Sequence, residues 1–108
     1  MLSLKDKLFN MRQINIPVID SDIFKRIELN DDEPVKITFS KQIDDFMISC
    51  DGGDILLRWD VDGWNDDECM LLKEKDNFKE INGLRCTHLL IKRKDQSIIT
   101  VFMVAQLN

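Results

Sequence analysis

The stretch Ser97-Ile98-Ile99-Thr100-Val101-Phe102-Met103-Val104-Ala105 (SIITVFMVA) is apolar at nearly every position, and its alternation decides how the rest of the chain is arranged. Read as a strand, it puts Ile98, Phe102 and Val104 on one side and Ile99, Val101 and Met103 on the other. A strand that is apolar on both sides belongs at the centre of a sheet with cover over both faces. One such cover is offered by the N-terminus, where Ser3 stands three residues before Asp6 and Leu4, Leu8 and Met11 recur at helical spacing. The expected class is therefore α+β, an N-terminal helix packed on a curved, mostly antiparallel sheet of about five to six strands, with a small partly closed β-barrel as the alternative.

The segments upstream supply the remaining strands. Arg85 to Arg93 is expected to pair with the quoted stretch through the turn Lys94-Asp95-Gln96. Phe46, Ile48 and Cys50 alternate, as do Ile55, Leu57, Trp59 and Val61. Between them Asp51-Gly52-Gly53-Asp54 is made of residues that tolerate positive φ, which predicts a hairpin. Val35 to Phe39 alternates, and Cys69 to Lys73 makes a further short strand. Asn77 to Gly83 reads as a single helical turn with Asn77 as its cap and Glu80 three residues later. Ile23 to Leu29 suits either a helix capped by Ser21 or a strand. The strand is preferred, because Asn30 to Pro34 then forms the turn into Val35.

The 108 residues suffice for one domain and one core, so residues 1–108 are read as a single domain. With 44% hydrophobic and 32% charged residues the balance is that of a folded chain. Lys5, Asp6 and Lys7 interrupt the apolar N-terminal positions, and no stretch nears the ~20 apolar residues of a membrane span; a cytoplasmic location is expected. Cys50, Cys69 and Cys86 lie far apart without a CxxC pair, which suits reduced thiols.

Charge is distributed unevenly. Residues 1–43 carry seven acidic and seven basic groups, residues 44–68 nine acidic against Arg58 alone, and residues 69–108 four acidic against seven basic, giving sums of 0, −8 and +3. The acidic segment repels nucleic acid and attracts basic surfaces. Its densest part is Arg58-Trp59-Asp60-Val61-Asp62-Gly63-Trp64-Asn65-Asp66-Asp67-Glu68, with five carboxylates and two tryptophans.

That stretch fails as a calcium loop. With Gly63 at the sharp sixth position, Asp60 and Asp62 fall at ligand positions, but Arg58 occupies the first and Cys69 the twelfth, where carboxylates are required. A small metal-dependent enzyme using Asp60 and Asp62 is an alternative, though acids in turns are usually too solvated for acid/base work. His88 shares its strand with Cys86, but no orienting partner or oxyanion turn accompanies the pair. A Cys50, Cys69, Cys86 and His88 zinc set lacks the close spacing such sites use. Lys92-Arg93-Lys94 is a small basic patch without an aromatic. No cofactor, no metal and no catalytic residue are therefore expected.

What remains is a docking surface. Tryptophan amid carboxylates is the composition of an interface that steers a basic partner by charge and anchors it with a ring. The residues expected to carry it are Asp44, Asp45, Asp51, Asp54, Trp59, Asp60, Asp62, Trp64, Asp66, Asp67 and Glu68. The expected role is that of a small acidic, non-enzymatic binding protein that occludes a basic protein, of the kind of an immunity protein or antitoxin neutralising a nuclease-type toxin. A phage-encoded mimic of nucleic acid, or inhibitor of a host protein, is an alternative of the same physical type.

Overall fold

The computed structural model describes residues 12–18, 22–59, 63–76, 78–83 and 85–106. Nine strands are present among them: β1 (Arg12–Ile16), β2 (Asp22–Leu29), β3 (Val35–Ile43), β4 (Asp45–Asp51), β5 (Ile55–Trp59), β6 (Met70–Leu72), β7 (Lys79–Ile81), β8 (Cys86–Arg93) and β9 (Ile99–Gln106). The helical content of the described residues is two single 3-10 turns, Asp66–Glu68 and Glu74–Asp76. The α+β expectation is thus overturned: the fold is nearly all-β. The helix expected over Ser3 to Met11 lies outside the described residues.

The strands form two sheets. Sheet A runs β1-β3-β8-β5-β6 and sheet B runs β2-β9-β4-β7. Neighbours are antiparallel throughout, except for β1, which pairs parallel to β3. Every connection except β5 to β6 leaves one sheet for the other. Without β1, the orders β3-β8-β5-β6 and β2-β9-β4-β7 are those of a jelly roll, in which two four-stranded sheets are wound together.

This winding corrects two expected hairpins. β4 and β5 are not partners, so Asp51 to Asp54 forms a corner between sheets. β8 and β9 are likewise divided between sheet A and sheet B. Both turns have hairpin composition, but a turn's chemistry fixes only how the chain reverses and not which layer it enters. The expected helical turn over Asn77 to Gly83 is also corrected: Lys79 to Ile81 pairs with Ile48 to Phe46 of β4, and Asn77 lies outside the described residues.

The core lies between the inner faces. Ile37, Phe39, Leu57, Leu89 and Ile91 from sheet A meet Ile27, Phe46, Ile48, Val101 and Met103 from sheet B, all buried. Fully burying each such side chain contributes about 1.5–3 kcal/mol. The period of two explains the pattern, since β9 reads alternately buried and half-buried from Ile99 to Ala105. β9 is interior to its sheet, as expected, but only its Ile99, Val101, Met103 and Ala105 face is core. Phe102 and Val104 point to the outer side of sheet B and stay half-buried.

Candidate functional site

The loop from β5 to β6 carries the described part of the acidic stretch, because β5 ends at Trp59 and the chain must reverse to bring Met70 opposite Leu57. Residues 60–62, including Asp60 and Asp62, lie outside the described residues. From Gly63 the loop is tied down at several points. Arg58 donates through one guanidinium nitrogen to the Gly63 carbonyl at 3.0 Å and through another to Glu68 Oε2 at 3.2 Å. Asn65 caps the turn Asp66–Glu68: its Oδ1 accepts from the Asp67 amide at 3.0 Å and its carbonyl accepts from the Glu68 amide at 3.0 Å. The Cys69 thiol donates to the same carbonyl at 3.1 Å.

Two further contacts fold the loop over the outer side of sheet A. Lys92 of β8 donates to both Asp66 carboxylate oxygens, at 3.1 and 3.2 Å, and the Trp64 indole N–H donates to Asp66 Oδ1. The Trp64 bond, then Lys92 by hydrogen bond and charge, hold the Asp66 carboxyl below its usual range against the opposing effect of desolvation. Asp66 is therefore ionised at neutral pH. Burial pushes the neighbouring Cys69 thiol up, although Arg58 and Lys92 oppose it.

The acidic run is consequently less unopposed than its sequence implies. Glu68 is paired with Arg58 and Asp66 with Lys92, while their side chains keep 62% and 54% exposure and so remain open to a partner. Asp67 is exposed and Trp64 half-buried. Trp59 instead packs against the core.

The other expected site residues are dispersed. Asp44 and Asp45 stand at the corner from β3 to β4, where the Asp44 amide donates to Gln106 and Asp45 Oδ1 accepts from the Gly83 amide at 2.8 Å. Asp51 and Asp54 lie at the opposite end of β4, at the corner into β5. There Asp54 Oδ1 accepts from the Glu74 amide at 2.9 Å and the Asp54 carbonyl accepts from the Lys94 amide at 3.0 Å, which makes Asp54 a brace for the corner. Asp44, Asp45, Asp51 and Asp54 therefore stand apart from the loop. Trp64, Asp66, Asp67 and Glu68 form one surface.

The Asp60 and Asp62 enzyme alternative falls outside the described residues. Among the described residues no three His, Cys, Asp or Glu side chains are placed to hold a metal ion. Cys50 is buried on sheet B and Cys86 on sheet A, while Cys69 belongs to the loop. A cavity of about 330 Å³ beside the loop is lined by Leu57, Arg58, Trp59, Glu68, Cys69 and Met70, and among these described residues the carboxylate is that of Glu68, bound to Arg58. The basic tip is engaged as well: Arg93 pairs with Asp32 at 2.9 Å and Lys92 with Asp66.

One feature escaped the sequence reading. The outer side of sheet B carries Phe24, 66% exposed, and Met47, 37% exposed, with the half-buried Phe102 and Val104 between them. The available signal is that same apolar pattern on both sides of β9, which by itself predicts cover over both faces.

No protein-family model matches the sequence, and no curated protein matches it. Solved structures do resemble it in fold. PliG of Aeromonas hydrophila, a periplasmic lysozyme inhibitor of g-type lysozyme, superposes with a TM-score of 0.55 at 8% identity, covering 87% of this chain and 96% of that one. A cupin superfamily protein from Desulfitobacterium hafniense superposes with a TM-score of 0.54 at 10% identity, covering 84% of this chain and 72% of that one. At such identities the likeness is one of architecture, a two-sheet β fold that hosts unrelated functions.

Proposed function

We propose that this chain is a small, non-catalytic binding protein that occludes a basic protein partner with the loop between β5 and β6. One observation carries the reading: Asp66, Asp67 and Glu68 are presented outward on a capped turn that Arg58 and Lys92 anchor to sheet A, with the half-buried Trp64 ring beside them. A catalytic acid needs a raised pKa in a cleft, whereas Asp66 is held ionised on an exposed turn. A preformed anionic loop loses little entropy on docking and steers a cationic surface toward itself. The fold supports the reading to the extent that PliG of Aeromonas hydrophila, named as a lysozyme inhibitor, is built on a similar architecture.

The partner class proposed is a nuclease-type toxin, whose substrate-binding surface must be cationic, and the chain's role is that of an immunity protein or antitoxin acting in the cytoplasm. The immobilised protein would be exposed to purified nuclease toxin domains and, in a parallel arm, to g-type lysozyme, each at 50 mM and 500 mM salt. The expected result is saturable binding of a nuclease domain that weakens with salt and is lost in the Asp66→Asn, Asp67→Asn, Glu68→Gln variant. Binding of lysozyme alone would replace the nuclease with a different enzyme as target. Binding that ignores the three substitutions would remove the loop from the interface.

A further inference from the structure

β7 ends at Ile81, the last of its residues to pair with β4, and the chain runs on through Asn82 and Gly83, both exposed and both beyond the ladder. Asparagine before glycine is the pair most open to attack by the chain on itself, because glycine has no Cβ to shield its nitrogen from the neighbouring carboxamide. Gly83 holds a left-handed φ of +72°, and a Cβ there would have nothing within 4 Å, so no packed side chain crowds the position.

A contact from another strand restrains this pair. The Gly83 amide donates to Asp45 Oδ1 at 2.8 Å, across 38 residues, at the corner from β3 to β4. Asp45, Glu80 and Asn82 also line a cleft of about 260 Å³ at the β7 edge. To attack the carboxamide, the Gly83 nitrogen must first lose its proton, and an amide anion beside a carboxylate is disfavoured as any like-charge pair is. A carboxylate is far too weak a base to take that proton itself. The bond also fixes the peptide unit, so it opposes the reaction on both counts and must open before the reaction begins.

We propose that Asn82 is a site of spontaneous deamidation held in check by Asp45. When the corner opens, the deprotonated Gly83 nitrogen bonds to Asn82 Cγ and closes a five-membered succinimide. The Cγ–Nδ2 bond breaks, and the leaving nitrogen takes up the proton that Gly83 lost and departs as ammonia. Water then adds to either imide carbonyl and opens the ring to aspartate or isoaspartate, with no change of oxidation state. A carboxylate replaces the carboxamide in a cleft that already holds Asp45 and Glu80, and its repulsion disfavours reclosing. The step runs one way: a transient opening of this corner becomes a lasting one.

The test is incubation of the full chain at neutral pH with mass-spectrometric peptide mapping of residue 82, beside a synthetic peptide of residues 79–85. Hydrogen exchange reads the Gly83 amide, and a thermal melt verifies that each variant is folded. The native chain should deamidate about tenfold or more slowly than the peptide, with a protected Gly83 amide. Folded Asp45→Ala should react about fivefold or more faster than the parent, a factor within the range of one net hydrogen bond. Asn82→Asp, which carries the product's charge at an exposed position, should exchange its Gly83 amide faster than the parent does. A native chain that deamidates as fast as the peptide would overturn the proposal, whether or not Asp45→Ala folds. So would a folded Asp45→Ala that reacts no faster than the parent, or an Asn82→Asp chain whose Gly83 amide stays as protected as before.

Discussion

Lys92 on β8 donates to both carboxylate oxygens of Asp66, at 3.1 and 3.2 Å, across 26 residues of sequence. The contact fastens the loop between β5 and β6 to the outside of the sheet that both strands belong to. Because the pair is exposed, Lys92→Ala should cost less than about 1 kcal/mol in chemical denaturation. Its clearer signature is on Asp66 itself. Trp64→Phe removes the first hydrogen bond holding that carboxyl down and Lys92→Ala removes a hydrogen bond and a charge, so each should raise the Asp66 pKa, as read by NMR titration of the Oδ-bearing carbon. The sign follows: a carboxyl depressed in the folded state stabilises above its ordinary pKa of 3.8, and that contribution is lost as the pH falls through the folded value.

Replacing Asp66 and Asp67 with Asn and Glu68 with Gln should leave the melting temperature within a few degrees of the parent, since exposed charges act weakly on folding. Association with a basic partner should slow about tenfold or more at low salt and much less at high salt, where charges beyond a Debye length of ~8–10 Å are screened. Stopped-flow mixing at two ionic strengths separates the two effects.

Met103 and Phe102 are adjacent on β9 and face opposite ways, the first fully into the core and the second toward the outer side of sheet B. Met103→Ala should cost about 2–5 kcal/mol. Phe102→Ala should cost less, about 1.5–3 kcal/mol, because the half-buried ring leaves no sealed cavity when it is removed. Urea titrations at low protein concentration give both values, and equal costs would mean that both faces of the strand are sealed.

Gly52 sits at the corner between β4 and β5 with φ of +103°, and a Cβ there would come within 2.4 Å of the Ile98 carbonyl oxygen. Its amide donates to Glu74 and its carbonyl accepts from the Ser97 hydroxyl at 3.0 Å, so the backbone is held from both sides. Gly52→Ala should destabilise by about 1–3 kcal/mol or more, combining an unfavourable backbone region with the clash. A melt unchanged from the parent would show that the corner can shift.

Cys50 is buried under the same corner, and burial, followed by Asp54 and Glu74, pushes its thiol from 9.0 up to about 11. A thiol raised in the folded state favours folding while protonated. This contribution is intact below pH 9 and is lost as the pH rises toward 11, amounting to at most about 2–3 kcal/mol. Denaturation midpoints measured from pH 8 to pH 11 should fall less steeply in Cys50→Ala. The parent thiol should also resist alkylation at pH 8.

The alternation of Val35 to Phe39, Phe46 to Cys50 and Ile55 to Leu57 was enough to find most strands, because a period of two is written locally. Partnership is not local. Gly52 and Gly53 make a turn legible at sight, yet nothing in them says whether Ile55 lies beside Cys50 or in the opposite layer. The same limit governed Phe102: a strand apolar on both sides is compatible with cover on both or with a face left open, and the residues that would decide lie on other strands. For the loop, the carboxylates and Trp64 are recognisable in sequence, but Lys92 stands there beside Arg93 and Lys94 as a separate basic patch. Its pairing with Asp66 depends on β8 lying beside β5, which only the assembled sheet determines.

The winding of the two sheets bears on how the chain reaches this state during synthesis. β9 fills the slot between β2 and β4, and it is the last of the described strands to leave the ribosome. Until it arrives, β2 and β4 have no partner on that side, and only β5 and β6 can pair as sequence neighbours. Acquisition of the fold must therefore wait on distant segments, which places it among slow, non-local folders on the scale of milliseconds to seconds. In that interval the edges of β2 and β4 are open to pairing with other chains, the hazard that incomplete β-proteins present to the cell.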